Sequence, residues 1–340
     1  MRILAADIGG TKTLLQVADY HSKRFQLIHE QRFHSAAFDD FHQLLEQFLA
    51  EMPTPLSPLH SACLAVAGPV QEQGEQQTAS VTNLPWTIDS AHLGEAFNIP
   101  KVRLINDFQA IGYGVQTLDE SELYSLQAGA PQLQAPALVI GAGTGLGAGQ
   151  LIWCQDHYRI IASEYGHADF APADTLQIEL WQFLRQRLGR VAIESVLSGP
   201  GLVNIYQFFC SRQPAAVSWQ LQQRLSTGDS AAAISEYAQE HQDSLACQAL
   251  ALLVSIYGAQ AGNLALVSLA QGGVYIAGGI APKILGQLSG GDFIKSFNNK
   301  GKMSHLMEKF PVAVVMDPKV GLRGAAFVAT LHKTSDPDAS

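Results

Sequence analysis

Charge is what this 340-residue chain has least of. Only 15% of its residues are charged, and 21 Lys plus Arg face 30 Asp plus Glu, a formal net charge of −9. A surplus of acid repels phosphodiester backbones and anionic headgroups, so neither nucleic acid nor a membrane surface is an expected partner. Cysteine is sparse as well. Cys63, Cys154, Cys210 and Cys247 lie far apart with no C-x-x-C pair, which fits buried, inert thiols in a reducing cytosol better than a disulfide scaffold or a zinc cluster. The apolar run Ile3 to Ala6 is stopped by Asp7, too early for a secretory leader, and a cytoplasmic location is expected. No G-x-x-x-x-G-K-[ST], H-R-D or D-F-G occurs, which disfavours a P-loop NTPase or a protein kinase. His29-Glu30 to His34 misses H-E-x-x-H by one residue, so no metal site is expected there.

One long stretch, Ser244 to Pro282, has no charged residue at all. Its length suggests a membrane span. Gln248, Gln260, Asn263 and Gln271, with Gly258, Gly262, Gly272 and Gly273, instead predict a helix buried inside a large domain, then a turn and a strand.

What the chain does have is apolar residues, 47% of the total, and 30 glycines. The first supplies a substantial core, and the length suggests two domains. The second offers backbone N–H groups that a ligand can approach closely. Two apolar runs, Ile3 to Ala6 and Thr13 to Ala18, flank Asp7-Ile-Gly-Gly-Thr-Lys12 and predict a hairpin with a polar tip. Backbone donors and a hydroxyl suit phosphate oxygens, and a carboxylate suits the Mg²⁺ that travels with a nucleotide. A tight turn needing positive φ explains the same glycines. A helix from Asp39 to Leu49 ended by Pro53, Pro55 and Pro58, a strand from Ser61, a helix capped by Asp89 and a strand at Val102 to Ile105 follow.

The opening pattern recurs. Pro136 to Ile140, the glycine cluster Gly141 to Gly147 and Ala148 to Trp153 repeat strand, glycine turn, strand, which implies internal duplication. Gly143-Thr-Gly145-Leu-Gly-Ala148 also satisfies the degenerate dinucleotide pattern, but the next residues lack a helical stripe, and that motif must open a helix. Residues Leu176 to Leu269 are mostly helical by pattern, Val274 to Ala277 is a strand, Gly321 to Leu331 an amphipathic helix, and His332 to Ser340 a polar, disordered tail.

Asn106-Asp107 closes a buried strand. A carboxylate there can take the proton of an attacking hydroxyl, or the pair can simply cap the next helix. Glu164 and His167 sit three apart, and Glu194 precedes a glycine-proline turn. Together these acids, amide and imidazole are what a sugar site needs, since each hydroxyl both donates and accepts.

In six motifs taken in order, the chain resembles the bacterial glucokinases of the proteobacterial and cyanobacterial type, within the actin, sugar kinase and heat-shock ATPase superfamily. The motifs are Asp7 to Thr11, Ile105 to Phe108, Gly141 to Gly147, Glu164 to Pro172, Glu194 to Asn204 and Val274 to Pro282. The resemblance implies a two-lobed, actin-like (ribonuclease H-like) α/β fold with an interdomain cleft. It implies a small domain of residues 1–112 completed by helix 321–331, and a large one of 113–320. It implies ATP-dependent phosphorylation of glucose at the 6-hydroxyl, an entry step of glycolysis, with Asp107 as the base and Asn106, Glu164, His167 and Glu194 on the other hydroxyls. ATP and Mg²⁺ would meet Asp7, Ile8, Gly9, Gly10, Thr11 and Lys12, then Gly143, Thr144 and Gly145, then Gly278 and Gly279, with Asp7 on the metal through water. A homodimer is implied too. Tyr165 stands where the family pattern commonly has glycine, and would be strained if that backbone needs positive φ. The cysteine-rich zinc motif of the related repressor/ORF/kinase family is absent. Another hexose, such as mannose or glucosamine, is the alternative substrate. A non-catalytic sugar sensor is the alternative class, against which stands the lack of room for a DNA-binding helix-turn-helix before Ile3.

Overall fold

The apolar runs flanking Gly9 and Gly10 pair with each other: β1 (Arg2–Ile8) and β2 (Lys12–His21) form an antiparallel hairpin in which Ile8 faces Thr13. The computed structural model describes residues 1–22, 24–52 and 58–331. The expected stops at Pro53 and Pro55 and the tail from His332 lie outside them. The chain divides into two units, one of residues 1–119 and 317 onward, the other Glu120–Met316.

In the first unit the hairpin is followed by β3 (Arg24–His34), α1 (Phe41–Ala50), β4 (Ser61–Val66), β5 (Val70–Gln73), β6 (Gln76–Ser80), β7 (Thr87–Asp89), α2 (Ser90–Ala96), β8 (Val102–Asn106) and α3 (Asp107–Val115). A break at residue 112 would fall inside α3, whose continuous helix carries the boundary further on. The main sheet runs β3-β2-β1-β4-β8 with β1, β4 and β8 parallel, and β5-β6-β7 form a small separate sheet. Helix α1 starts where Asp40 accepts the N–H of Gln43 at 2.9 Å, and its buried stripe of Phe41, Leu44, Leu45 and Phe48 faces the core. Asp89 caps α2 as its sequence suggests, accepting from Ala91 and His92. The near-miss histidines lie on strand β3.

The second unit holds β9 (Leu123–Gln127), β10 (Ala137–Ala142), β11 (Leu146–Cys154), β12 (His157–Ser163), α4 (Thr175–Leu188), α5 (Gly199–Arg212), α6 (Trp219–Leu225), α7 (Ser230–Gln239), α8 (Ser244–Ser268), β13 (Gly273–Ala277), α9 (Leu285–Ser289), α10 (Asp292–Asn298), α11 (Ser304–Met307) and β14 (Val312–Val315). Its sheet runs β12-β11-β10-β13-β14-β9. The first five strands repeat the other unit's sheet: an antiparallel three-strand meander, then two parallel neighbours. Both leading hairpins have three-residue tips, Gly9 to Thr11 and Gly143 to Gly145. The duplication inferred from the glycine turns is thus a duplication of topology. Strand β11 after the second tip also removes the dinucleotide reading, which needed a helix there.

Helix α8 is the uncharged stretch. Among the described residues it alone is long and apolar enough to cross a membrane, yet it is largely buried within the second unit. A Cβ on Gly258 would lie 2.0 Å from the carbonyl oxygen of Phe293, so glycine lets α10 lie directly against it. The turn and strand β13 follow as expected.

Helix α12 (Val320–Thr330) returns to the first unit. It packs on α3, β1 and β4, closing a core of Ile3, Ala5, Cys63, Ala65, Ala110, Leu322 and Ala325. Ser61 Oγ donates to Ala329 O at 2.7 Å. Cys63 is fully buried, which pushes its thiol up to about 12. Cys154, Cys210 and Cys247 are only half-buried, more open than the inert core thiols expected.

Candidate active site

The three parallel strands of the first sheet end together. Ile8, Val66 and Asn106 lie in one row across β1, β4 and β8, which puts the β1–β2 tip and the Asn106-Asp107 step two strands, about 10 Å, apart. Ligands bind at carboxyl ends of parallel strands because the chain turns there and leaves backbone groups unpaired. The tip shows this. Gly9 N donates to Lys12 O at 3.0 Å, and Ser35 takes up two carbonyls, its Oγ on Gly9 O at 2.7 Å and its N on Thr11 O at 3.1 Å. Thr13 and Ser35, both fully buried, share a hydroxyl bond at 3.0 Å. With the carbonyls engaged, the N–H groups of Gly10 and Thr11 reach no acceptor among the described residues. Thr11 and Lys12 are exposed beside them.

Asp7 is the last polar residue before the tip. Burial pushes its carboxyl above the ordinary value and Lys12 opposes the shift. An acid with no hydrogen bond among the described residues, held where its charge is penalised, suits a divalent cation. Mg²⁺ therefore fits this position.

Asn106 is the N-cap of α3. Its Oδ1 accepts from Phe108 N at 2.9 Å, Gln109 Oε1 accepts from Asn106 N at 3.1 Å, and Nδ2 donates to Gly68 O at 3.3 Å. The capping explanation is therefore correct for Asn106: its Oδ1 also accepts the backbone N–H of Gln109 in a capping box, which engages both lone pairs, and one amide hydrogen remains for a ligand. Asp107 begins the helix and accepts from Phe108 N at 2.9 Å.

In the second unit the β10–β11 tip lies beside Gly278 and Gly279, because β10 and β13 are parallel neighbours with Gly141 opposite Ala277. A Cβ on Gly278, whose φ is +80°, would lie 2.6 Å from Ala142 O. That glycine is required by the fold. None of Gly9, Gly10, Gly143 or Gly145 has positive φ, which removes the tight-turn explanation for them. Gly10 is explained by close approach, since a Cβ there would lie 2.7 Å from Thr82 O. At Gly143 and Gly279 a Cβ would meet nothing within 4 Å. Neither conformation nor packing requires glycine at those two positions.

Glu164 and His167 flank a 3-10 turn, Tyr165–His167. Glu164 is its N-cap and His167 its last residue, and both side chains are exposed. Gly166 between them is buried, and a Cβ there would lie 2.4 Å from Leu146 O and 3.4 Å from Glu194 Oε2. That brings Glu194 against the same turn. The two segments are laced together: Phe170 N donates to Val191 O at 3.0 Å and Ile193 N to Ala168 O at 2.9 Å. Arg190 adds hydrogen bonds to His167 O and Asp169 Oδ1, both at 2.7 Å.

Tyr165 is not strained. It has negative φ, and the side chain that could not be tolerated is one on its neighbour Gly166. Its hydroxyl, which burial pushes up to about 12, donates at 2.9 Å to Oε1 of Gln260, a polar residue only 2% exposed in α8. Tyr165→Phe leaves that oxygen with Asn263 Nδ2 alone, at 3.3 Å. A loss of about 1–3 kcal/mol in urea denaturation is expected; a change under about 0.5 kcal/mol would show that the bond carries no load. Ser35, Arg190 and Gln260 have no signature in the sequence, since each acts through a partner remote along the chain.

Two sheets of one order, each led by a glycine-tipped hairpin with polar side chains at its strand ends, are those of the actin-like, ribonuclease H-like ATPase fold. The glucokinase family model matches residues 4–332. A glucokinase of Nostoc punctiforme is 43% identical over 96% of this chain and 98% of its own length, and one of Synechocystis is 41% identical over 97% and 98%. The crystal structure of a glucokinase from an Antarctic psychrotroph is 30% identical, with a TM-score of 0.82, over 96% of this chain and 98% of that one. The chain belongs to the glucokinase family.

Proposed function

We propose that this chain transfers the γ-phosphoryl group of ATP to the 6-hydroxyl of glucose. The observation that carries this reading is the family match from residue 4 to residue 332, which encloses every polar position described above. Asp107 would take the proton as the O6–P bond forms and the bond to ADP breaks. Asn106, Glu164, His167 and Glu194 would hold the other hydroxyls. The open N–H groups at Gly10 and Thr11, and that of Thr144, which likewise meets no backbone carbonyl among the described residues, would bind phosphate oxygens, with Ile8, Gly9 and Lys12 completing the first tip. Mg²⁺, held by Asp7 through water, would supply charge neutralisation on those phosphates. Gly279 would face the adenosine. An acidic protein can bind so anionic a ligand because backbone dipoles, not lysines, do the holding.

A coupled assay with Mg-ATP across glucose, mannose and glucosamine tests the reading. Glucose is expected to give the highest kcat/KM, with little ADP formed in its absence. A faster reaction on another hexose would change the substrate; glucose binding in calorimetry without ADP release would mean a sensor. Gly143→Ala tests the phosphate tip separately. Its methyl enters space that no protein atom occupies within 4 Å, so the KM for ATP is expected to rise about tenfold, about 1.4 kcal/mol of binding, with the denaturation midpoint little changed. An unaltered KM for ATP would remove Gly143 from the site.

A further inference from the structure

Glu194 rests in a seat made by backbone. Its Oε2 accepts the N–H of Leu146 at 2.9 Å. A Cβ on Gly145 would lie 2.6 Å from that oxygen, and one on Gly166 3.4 Å from it. Oε1 is farther from Gly145, at 4.0 Å, and accepts no hydrogen bond from the described residues. The carboxylate is thus divided: the β11 backbone occupies one oxygen, and the other is left for a ligand hydroxyl. Gly166 has a second reason to be glycine, the Leu146 carbonyl. Gly145 has none, for its φ is not positive and every atom near its missing side chain belongs to Glu194.

We propose that Gly145 is a positioning residue for the sugar rather than a phosphate residue: its absent side chain is the room in which the Glu194 carboxylate sits. Motif spacing alone groups Gly145 with the nucleotide. The geometry separates it from Gly143, whose own Cβ position is empty. A methyl at 145 pushes Oε2 off the Leu146 N–H and swings Oε1 away from the hydroxyl it would accept. The assignment rests on Glu194 being a sugar ligand, as proposed above.

Calorimetric titration of glucose, and separately of Mg-ADP, into the native chain, Gly145→Ala, Glu194→Ala and the double variant decides it. Gly145→Ala is expected to weaken glucose binding about 10–100-fold, the cost of one misplaced charged hydrogen bond, while Mg-ADP shifts by less than about threefold. In the Glu194→Ala background the same substitution should add less than about twofold to the glucose Kd, because the displaced group is gone. Weakening of Mg-ADP by about tenfold or more in either background, or a glucose effect that adds in full to Glu194→Ala, would overturn the assignment. The fitted stoichiometry counts folded protein, so misfolding lowers it without mimicking a Kd change. If Gly145→Ala yields no folded protein, the double variant should still fold; its failure too would overturn the clash. A native chain that binds no glucose instead sinks the proposed activity, whereas one that binds it, with Gly145→Ala indifferent, sinks only the role of Gly145.

Discussion

Asp107→Asn is expected to lower kcat on glucose by a factor of about 10² to 10⁴. The substitution is nearly isosteric. An amide oxygen can still accept from Phe108 N, now 2.9 Å from Asp107 Oδ1, and the cap of α3 belongs to Asn106 with its partner Gln109. The helix start therefore survives, while the side chain loses its charge and its capacity to accept a proton. The change should fall on kcat more than on the KM for glucose, since the proposed hydroxyl ligands Asn106, Glu164, His167 and Glu194 are untouched. Steady-state and single-turnover assays with Mg-ATP would measure it. A variant keeping more than about a tenth of native turnover would assign Asp107 to helix capping and leave the base to be found elsewhere.

Gly324→Ala is expected to destabilise the protein by about 3 kcal/mol, at the upper end for added volume in a packed core. The new Cβ would lie 1.7 Å from Ala110 O and 2.7 Å from Gly114 N, all backbone of α3. No side-chain rotation relieves such a contact. Helices α3 and α12 would have to separate, and α12 is held from its other side by Ile3, Ala5, Cys63 and Ala65, each fully buried. The reciprocal position behaves alike: a Cβ on Gly114 would lie 2.0 Å from Val320 O. Guanidinium denaturation reads the loss, and Gly286→Ala supplies the control. Gly286 lies in α9 with nothing within 4 Å and no positive φ, so alanine there should stabilise by about 0.4–1 kcal/mol. If Gly324→Ala proves no less stable than that control, the close helix crossing does not exist.

Elements whose pattern comes from burial were legible in the sequence, and elements defined by pairing were not. β1, β4 and β10 are buried along nearly their whole length and showed as apolar runs. Strands β5 (Val-Gln-Glu-Gln) and β6 (Gln-Gln-Thr-Ala-Ser) are mostly exposed, so no alternation betrays them and only cross-strand hydrogen bonds make them strands. The edge strand β3, exposed or half-exposed except at Phe33, was missed for the same reason. In the candidate site, Asn106-Asp107 and the glycine tips were readable because each breaks an apolar strand at its end. Ser35 was not, since a serine between His34 and Ala36 becomes a brace only when folding sets it against Gly9 and Thr11. At Tyr165 the motif suggests backbone strain, whereas the side chain matters through a hydroxyl reaching Gln260 and the backbone has negative φ.

The return of α12 also sets an order of events during synthesis. Ser61 Oγ bonds to Ala329 O across 268 residues of chain, and the face of β1 and β4 that α12 covers consists of Ile3, Ala5, Cys63 and Ala65. The second unit is one uninterrupted segment, Glu120–Met316, and can close as soon as it has left the ribosome. The first unit cannot, although it starts first. Its sheet must wait, with an apolar face uncovered, for the last helix to emerge, and contacts of such long sequence separation form slowly. At elongation rates of about 5–20 residues per second the interval lasts on the order of ten seconds or more. The part of the chain made earliest is therefore finished last, and it is the part that most needs protection from aggregation while it waits.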